Sequence, residues 1–458
     1  MLPSVYFKTY GCAFNQLDSE VMIGFLQRNG YVITSDLNSA DIVVINSCTV
    51  KNSAETKLFN DIKRFKSENK KIVVCGCVPQ AEPSYLKTKL KDITVLGINE
   101  LDKICSAVDK TYNGDVLQNL SDLSFSNIKL NRCEKENLRL NSYVYNIDSK
   151  DELQKKSKNI IGIVPINEGC LNHCTYCKTK YARGSLFSYS IMAIKEAVEN
   201  KLKNGITEIY LTSQDTACYG YDIGCNLVDL LKEILTIKMD FKIRIGMGNP
   251  NLFLKIIDDI LSLMLKDKRI YRFLHIPIQS GNDRILKQMR RPYTVNDYKL
   301  IVNTARAKIP NITIANDIIV GYPTETQAEF YETLKLVDDV KFNVLNFSRF
   351  WLRPNTIASK IYVKTDFVDG LESKKRAIEL KERFEKIALI NNSEWIGFTG
   401  YVKIIENGKI GTDSVIARND YYKPIVINNA KKNKLKIGDI VKVRITDVTW
   451  FDFRSELV

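Results

Sequence analysis

The sequence predicts an α/β protein in three parts: a parallel-sheet domain, a partial β/α barrel open on one side, and a small closed β module. Three observations carry this expectation. Residues 1–131 alternate β-rich runs with helical patterns, residues 159–392 repeat that alternation about six times, and residues 393–458 hold five short strand-like runs. Between the first two parts, residues 132–158 are polar and charged without a sustained period, and are read as a linker or surface excursion.

In the first part the runs 4–10, 41–46 and 71–75 each end at or just before a cysteine, giving Cys12, Cys48 and Cys77. Helical patterns at 18–29 and 54–69 separate them, so the unit reads β/α/β/α/β. Ligands of such sheets gather beyond the carboxyl ends of the strands, and three thiols remote in sequence should therefore meet. Convergent thiolates suit zinc with a fourth ligand, or an iron–sulfur cluster with one iron left open. The plainer alternative is that they are small buried hydrophobes. Cys75 falls inside the apolar run 72–74, whereas Gly76 is expected to release the chain into a loop at Cys77. Cys75, Cys105, Cys133, Cys218 and Cys225 lack a ligand context and are assigned to packing.

The second part opens with a strand-like run, 160–165, followed by Cys170, Cys174 and Cys177 in a C-x3-C-x2-C loop. Three thiolates can hold a four-iron cluster whose remaining iron is open to the amino and carboxylate groups of S-adenosylmethionine; the cofactors would then carry the radical chemistry and the protein would position them. Zinc with His173 as fourth ligand competes, although the spacing differs from the paired motifs of zinc fingers. Tyr176 is placed to pack against an adenine, with a core role as the alternative. Strands are expected at 208–212, 242–246, 272–277, 313–320 and 344–350, with helices at 191–204, 227–235, 252–266, 283–289, 295–307 and 328–341. Polar residues gather at strand ends, where barrel sites lie: Ser213, Gln214 and Asp215, then Arg244, then Gln279 and Ser280. Gly321 and Pro323 shape the turn after Asn316 and Asp317. Ala377, Leu380, Phe384, Ile387 and Asn391 mark a helix face, with Ser373 as the expected cap.

The third part reads as strands at 401–405, 415–417, 424–427 and 440–448 and a last run through Leu457, with an Asn407-Gly408 hairpin turn. Five strands in so short a span suggest an OB-like barrel, a fold that often binds oligonucleotides. Lys403, Lys409, Arg418, Lys423, Arg444 and Arg454 could line it, with Tyr421, Tyr422 or Phe451 available to stack on bases.

Composition narrows the classes further. The 458 residues carry 67 Lys plus Arg against 53 Asp plus Glu, net +14, and eleven Cys against two His. Two histidines are too few for a zinc enzyme of the His-ligand type. No signal peptide, transit peptide or apolar run of the ~18 residues needed for a span is apparent, so a cytoplasmic location without membrane contact is expected. In that compartment the cysteines are not a disulfide framework. The excess charge is +2 in residues 1–150 (19 basic, 17 acidic), +9 in 151–392 (37, 28) and +3 in 393–458 (11, 8), a distribution that draws polyanions to the second and third parts.

These motifs together resemble the radical S-adenosylmethionine methylthiotransferase family. The resemblance rests on Thr9-Tyr10-Gly11-Cys12 with Asn15 and Asp18-Ser19-Glu20, Asn46-Ser47-Cys48-Thr49-Val50, Gly76-Cys77 with Gln80, the three-cysteine loop, and His275-Ile276-Pro277-Ile278-Gln279-Ser280-Gly281. It implies a flavodoxin-like first domain, a TIM-type radical SAM core and a terminal TRAM domain. It also implies two [4Fe-4S] clusters, an auxiliary one on Cys12, Cys48 and Cys77 and a radical-generating one on Cys170, Cys174 and Cys177. S-adenosylmethionine would be used twice per turnover, once to methylate sulfur at the auxiliary cluster and once as the radical source.

Residues 177–184, 211–216 and 244–250 resemble the archaeal and eukaryotic branch that modifies N6-threonylcarbamoyladenosine beside the tRNA anticodon. By their placement in the cysteine loop and at the strand ends, Tyr176, Ser213, Gln214, Asp215, Arg244 and Gln279 are candidates for cofactor contact, and Lys403, Arg418, Lys423 and Arg444 of the terminal module for RNA contact. No general base is assigned. The expected partners are tRNA and an electron donor such as ferredoxin or flavodoxin, with the chain a monomer. Two departures stand out: Asn355 occupies a position usually held by Gly, and the terminal module lacks the usual Gly-Arg pair before its tyrosine. The alternatives are a methylthiotransferase for isopentenyladenosine or for a ribosomal-protein aspartate, and, from another class, a zinc-stabilised RNA-binding protein without enzymatic activity.

Overall fold

The computed structural model describes residues 2–50, 52–119, 132–140 and 159–458. The first domain is a six-stranded parallel sheet of β1 (Ser4–Thr9), β2 (Val32–Thr34), β3 (Ile42–Ser47), β4 (Lys71–Gly76), β5 (Thr94–Leu96) and β6 (Gln118–Asn119), in the order β2-β1-β3-β4-β5-β6. That is the flavodoxin-like winding, with its crevice at the carboxyl ends of β1 and β3. The central strands read as unbroken apolar runs because both faces are covered. Ile42, Val44 and Val73 pack on one side with Leu17, Val21 and Ile104, whereas Val43, Ile45 and Val74 pack on the other with Leu58, Ile62 and Phe65.

One expected loop is a helix. Gly76 takes φ +94°, and a Cβ there would lie 2.3 Å from Asn46 Oδ1 and 2.4 Å from Ser47 O. Glycine lets β4 turn against β3 and enter the helix Cys77–Ala81 at once, so Cys77 sits at a helix start rather than in a loop.

The expected linker is also partly wrong. Its opening residues form the helix Arg132–Leu140, whose Arg139 is buried. The guanidinium is satisfied by carboxylates from both neighbouring domains, so a residue that scored as surface charge is a core contact. Residues 141–158 lie outside the described residues, as do 120–131 at the end of the first part.

The second domain contains β7 (Ile161–Pro165), the short pair β8 (Asn167–Glu168) and β9 (Phe187–Ser188), then β10 (Glu208–Thr212), β11 (Lys242–Ile245), β12 (Phe273–His275), β13 (Thr313–Val320) and β14 (Val344–Arg349). Parallel sheets β7-β10-β11 and β12-β13-β14 are joined where Ile243 bridges Ile270, and β7 and β14 do not pair among the described residues. The barrel is therefore open, as expected. Its outer faces, with Ile209, Leu211, Ile243, Ile245, Ile314 and Ile318, bury against the surrounding helices in one continuous core. The helix Gly370–Ser393 closes this part; Asp369 caps it, Oδ1 accepting from Leu371 N at 2.8 Å, while Ser373 lies inside the helix and is buried.

The third part is a closed barrel of β15 (Thr399–Asn407), β16 (Ser414–Arg418), β17 (Pro424–Asn428), β18 (Ile440–Val448) and β19 (Phe453–Leu457). The Asn407-Gly408 pair does not form a two-residue hairpin. Asn407 is still paired with Val415, and the chain loops through 408–413 before returning. No helix among the described residues is long and apolar enough to cross a membrane.

Candidate functional site

Two of the first three cysteines, Cys12 and Cys77, meet on one buried asparagine. Asn15 Oδ1 accepts from Cys12 Sγ at 3.4 Å and from Cys77 Sγ at 3.8 Å, while its Nδ2 donates to Ser47 O at 2.8 Å. Asn46 Nδ2 in turn donates to Asn15 O at 2.7 Å and to Ser19 Oγ at 2.9 Å. Cys48 closes the set from β3: a Cβ on Gly11, φ +112°, would lie 2.6 Å from Cys48 Cβ. The Thr-Tyr-Gly-Cys and Asn-Ser-Cys segments thus meet through glycine and amide contacts. Burial pushes the Cys48 thiol up and the Cys77 thiol up to about 12, with Arg183 the foremost charge opposing the rise at Cys77. A bound metal would supply the charge that makes thiolates stable there.

The second set is fixed by the barrel. Thr175 N donates to Met289 O at 3.1 Å, and Thr175 Oγ1 lies 2.6 Å from Tyr322 Oη, so the loop is tied down between Cys174 and Cys177. Arg291 Nη1 donates to Cys174 Sγ at 3.2 Å, its Nη2 to Pro277 O at 3.1 Å and its Nε to Tyr293 Oη at 2.7 Å. Asp215 Oδ2 lies 3.6 Å from Cys170 Sγ and accepts from Asn249 Nδ2 at 2.6 Å. Burial raises the Asp215 carboxyl above its ordinary value, and the Asn249 contacts oppose that. Neither Arg291 nor Asn249 was singled out as a site residue; each sits just past a helix or strand boundary, where only the fold reveals its reach.

Among the described residues, no three Cys, His, Asp or Glu side chains are grouped to hold one metal ion. His173 is exposed. Each set offers three thiols, which suits a cluster that takes each thiolate on a different iron. Buried polar atoms without partners lie beside the second set: Asn172 Nδ2 and Asn249 Oδ1, with Arg244 Nε further along the barrel. They fit a small polar ligand better than an apolar core.

The two sets are brought to one junction. Cys77 and Ala81 pack on Tyr181 and Ala182, in the helix Thr179–Arg183 that follows Cys177. Asp18, fully buried, pairs with both Arg139 and Arg183, the latter at 2.5 Å; Arg139 Nε reaches Glu168 Oε1 at 2.9 Å. On the other side Lys178 Nζ meets Glu82 Oε2 at 2.8 Å, and Arg353 Nη1 meets Glu55 Oε2 at 3.0 Å. Asn355 takes φ +64°, a conformation Gly favours and Asn tolerates, and its Nδ2 donates to Glu82 at 2.9 and 3.0 Å. The departure from Gly adds a contact across the junction.

Of the other expected cofactor residues, Gln214 Oε1 accepts from Gly169 N at 2.7 Å and Ser213 Oγ from Asp215 N at 3.0 Å, so both shape the cysteine loop and its neighbour. Tyr176 packs beside Ile285, Met289 and Tyr322. Gln279, at φ +78°, ties its backbone to Asp317 and Ile319. Arg244 lies over the rings of Tyr210, Phe273 and Tyr422 at 5.1 to 5.4 Å, toward the terminal barrel.

The expected RNA residues divide sharply. Arg444 is exposed on β18. Lys403 pairs with Glu208 Oε1 at 3.0 Å, and Arg418 donates to Tyr422 O at 3.0 Å, so both are engaged at the contact with the second domain. Lys423 is only 4% exposed and cannot line a surface groove. Tyr421 and Tyr422 are likewise taken: Tyr421 packs on Trp395, and Tyr422 on Tyr271 and Phe273, both at 5.0 Å. Exposed aromatics of this part are Phe398, Tyr401, Trp450 and Phe451 among the described residues. Sequence could not separate these groups, because strand alternation fails in the loop 419–423 that docks on the core.

Burial lowers the Lys423 ammonium from the ordinary 10.5 to about 8. The cost of burying the charge is then full below about pH 8 and is relieved as pH rises toward 10.5, where the unfolded chain also loses the proton. Lys423→Met is expected to raise the melting temperature at pH 7, with the gain shrinking at pH 9 to 9.5; a constant gain across that range would contradict the assignment.

Residues 4–97 match the profile described as "Uncharacterized protein family UPF0004", residues 164–337 the Radical SAM superfamily and residues 402–458 the TRAM domain. The chain is 37% identical over 446 residues to the human threonylcarbamoyladenosine tRNA methylthiotransferase, covering 97% of this chain and 72% of that protein. It is 36% identical over 432 residues to a probable enzyme of the same name from Pyrococcus horikoshii, covering 94% and 95%. Among solved structures, the radical S-adenosylmethionine methyltransferase TsrM from Kitasatospora setae is similar at a TM-score of 0.53 with 15% identity, covering 78% of this chain and 77% of that one. That likeness speaks to the fold.

Proposed function

We infer the function from one premise: the chain belongs to the threonylcarbamoyladenosine tRNA methylthiotransferase family. It is a tRNA methylthiotransferase of the radical S-adenosylmethionine type, and its reaction replaces the hydrogen at C2 of N6-threonylcarbamoyladenosine with a methylthio group. An iron–sulfur cluster and S-adenosylmethionine belong to that chemistry, and tRNA is the substrate.

The finer assignment is ours. Cys170, Cys174 and Cys177 would hold the cluster that works with S-adenosylmethionine, and Cys12, Cys48 and Cys77 a second cluster that carries the sulfur. When bound, these groups supply one-electron cleavage of a sulfonium and a methylated sulfur, which an aromatic C–H demands because acid–base catalysis does not reach it at neutral pH. The observation that carries the reading is the junction where the Cys77 helix packs on the turn after Cys177, since sulfur and radical must be delivered to one carbon.

The chain's own residues hold this arrangement. Arg291 orients Cys174 and adds positive charge beside it; Asn249 and Asp215 fix the flank of Cys170; Gln214 holds the backbone of the cysteine loop. Of the four basic residues expected to meet RNA, Arg444 is the one left free to do so. An electron donor of the ferredoxin or flavodoxin kind and a monomeric state complete the proposal. Nucleosides from tRNA of a strain lacking this gene should contain threonylcarbamoyladenosine without its methylthio derivative, and the derivative should return with the gene. Restoration of methylthio-isopentenyladenosine instead would move the enzyme to the neighbouring substrate class.

A further inference from the structure

The ion pair of Arg183 leaves its Nη1 unmatched. Its Nη2 donates to Asp18 Oδ2 at 2.5 Å and its guanidinium lies 4.5 Å from the centre of the Phe14 ring. The side chain is 1% exposed, yet Nη1 has no hydrogen-bond partner among the described residues. Folded proteins rarely leave a buried charged N–H unmatched, so such a group calls for a ligand. Ala182, the preceding residue, packs on Cys77, and the Arg183 charge acts on both the Cys77 and Cys48 thiols. The residue is borne by the second domain, on the helix that follows its own cysteine loop, but its guanidinium is seated against Asp18 and Phe14 of the first domain, in the helix that starts after Cys12.

We propose that Arg183 Nη1 donates a charged hydrogen bond to a sulfur of the cluster held by Cys12, Cys48 and Cys77, making Arg183 a positioning residue that sets the reduction potential of that cluster from the neighbouring domain. The proposal rests on the cluster assignment made above. Reduction adds negative charge to a cluster, and a cationic N–H···S contact favours the reduced form; hydrogen bonds to sulfur are among the established determinants of cluster potential. Asp18 keeps the guanidinium in place, and Nη1 has no carboxylate partner among the described residues.

Arg183→Lys separates this role from a merely structural one, because a lysine keeps the charge and can still pair with Asp18 but has a single nitrogen. The experiment is a redox titration, followed by electron paramagnetic resonance, of the full chain reconstituted with iron and sulfide, comparing wild type, Arg183→Lys and Arg183→Gln. The expected result is a midpoint for one cluster that is more negative in Lys than in wild type and more negative again in Gln, with the other midpoint unmoved. The shifted signal should be the one missing from Cys48→Ala. A folded Arg183→Lys protein with two clusters at wild-type midpoints would overturn the proposal, as would equal shifts in both clusters. If the Gln variant does not fold, the Lys comparison decides alone. A wild-type chain that takes up only one cluster would defeat the cluster assignment itself, and this contact with it.

Discussion

Cys174→Ala is expected to reduce S-adenosylmethionine cleavage and methylthiolation together to background, whereas Cys48→Ala should abolish methylthiolation while leaving measurable 5′-deoxyadenosine formation. The split follows from the separation of the two cysteine sets. Cys174 is bound by Arg291 and lies in a loop anchored to the barrel through Thr175. Cys48 directly follows β3, whose last residues Asn46 and Ser47 carry the Asn15 and Ser19 network of the first domain. Iron should fall from about eight to about four per chain in either variant if, as proposed, each set holds one [4Fe-4S] cluster. Chromatography of deoxyadenosine beside nucleoside mass spectrometry checks the claim. Equal loss of both activities in Cys48→Ala would count against two separate roles.

The second large effect is on stability. Asp18→Ala removes the carboxylate shared by Arg139 and Arg183, all three of them buried, and leaves two guanidinium groups without their main counter-charge. Breaking a buried pair from one side costs about 3–5 kcal/mol, because the remaining charge stays desolvated. The effect should appear as a lower melting temperature and as loss of protection in the helix Arg132–Leu140, which the network fastens to both domains. Asp339→Ala is the control: its partner Lys299 is 35% exposed and Asp339 itself 41%, and such surface pairs contribute about 0–1 kcal/mol. Equal destabilisation by the two substitutions would show that the buried network does not tie the domains together.

The residues that declared themselves in the sequence are those whose chemistry is local. The C-x3-C-x2-C loop is legible because three soft ligands share one turn, and the strand-end positions of Cys12 and Cys48 follow from a hydrophobic run ending at a polar pair. The six core strands and the five of the terminal barrel follow from burial patterns that extend over several residues. The rest depended on distance in sequence. Arg139 reads as linker charge because its carboxylates come from Asp18 and Glu168; Arg291 carries no local signal because Cys174 lies far before it. Lys423 and Tyr422 looked like RNA contacts because nothing local reveals that their loop docks on Tyr271 and Phe273. Cys77 stands out in the sequence beside Gly76, but its helix start does not, since a five-residue helix carries too little periodicity to register.

The most direct measurement of the central claim is substrate choice by the purified, reconstituted protein. The chain, given S-adenosylmethionine, a reductant and a source of sulfur, is incubated with tRNA bearing threonylcarbamoyladenosine and, separately, with tRNA bearing isopentenyladenosine, and the digested nucleosides are weighed by mass spectrometry. The account predicts that one methylthio group replaces one hydrogen on the threonylcarbamoyl nucleoside, with iron bound and no change to the isopentenyl nucleoside. A colourless, zinc-containing protein that binds tRNA and modifies neither nucleoside would contradict it.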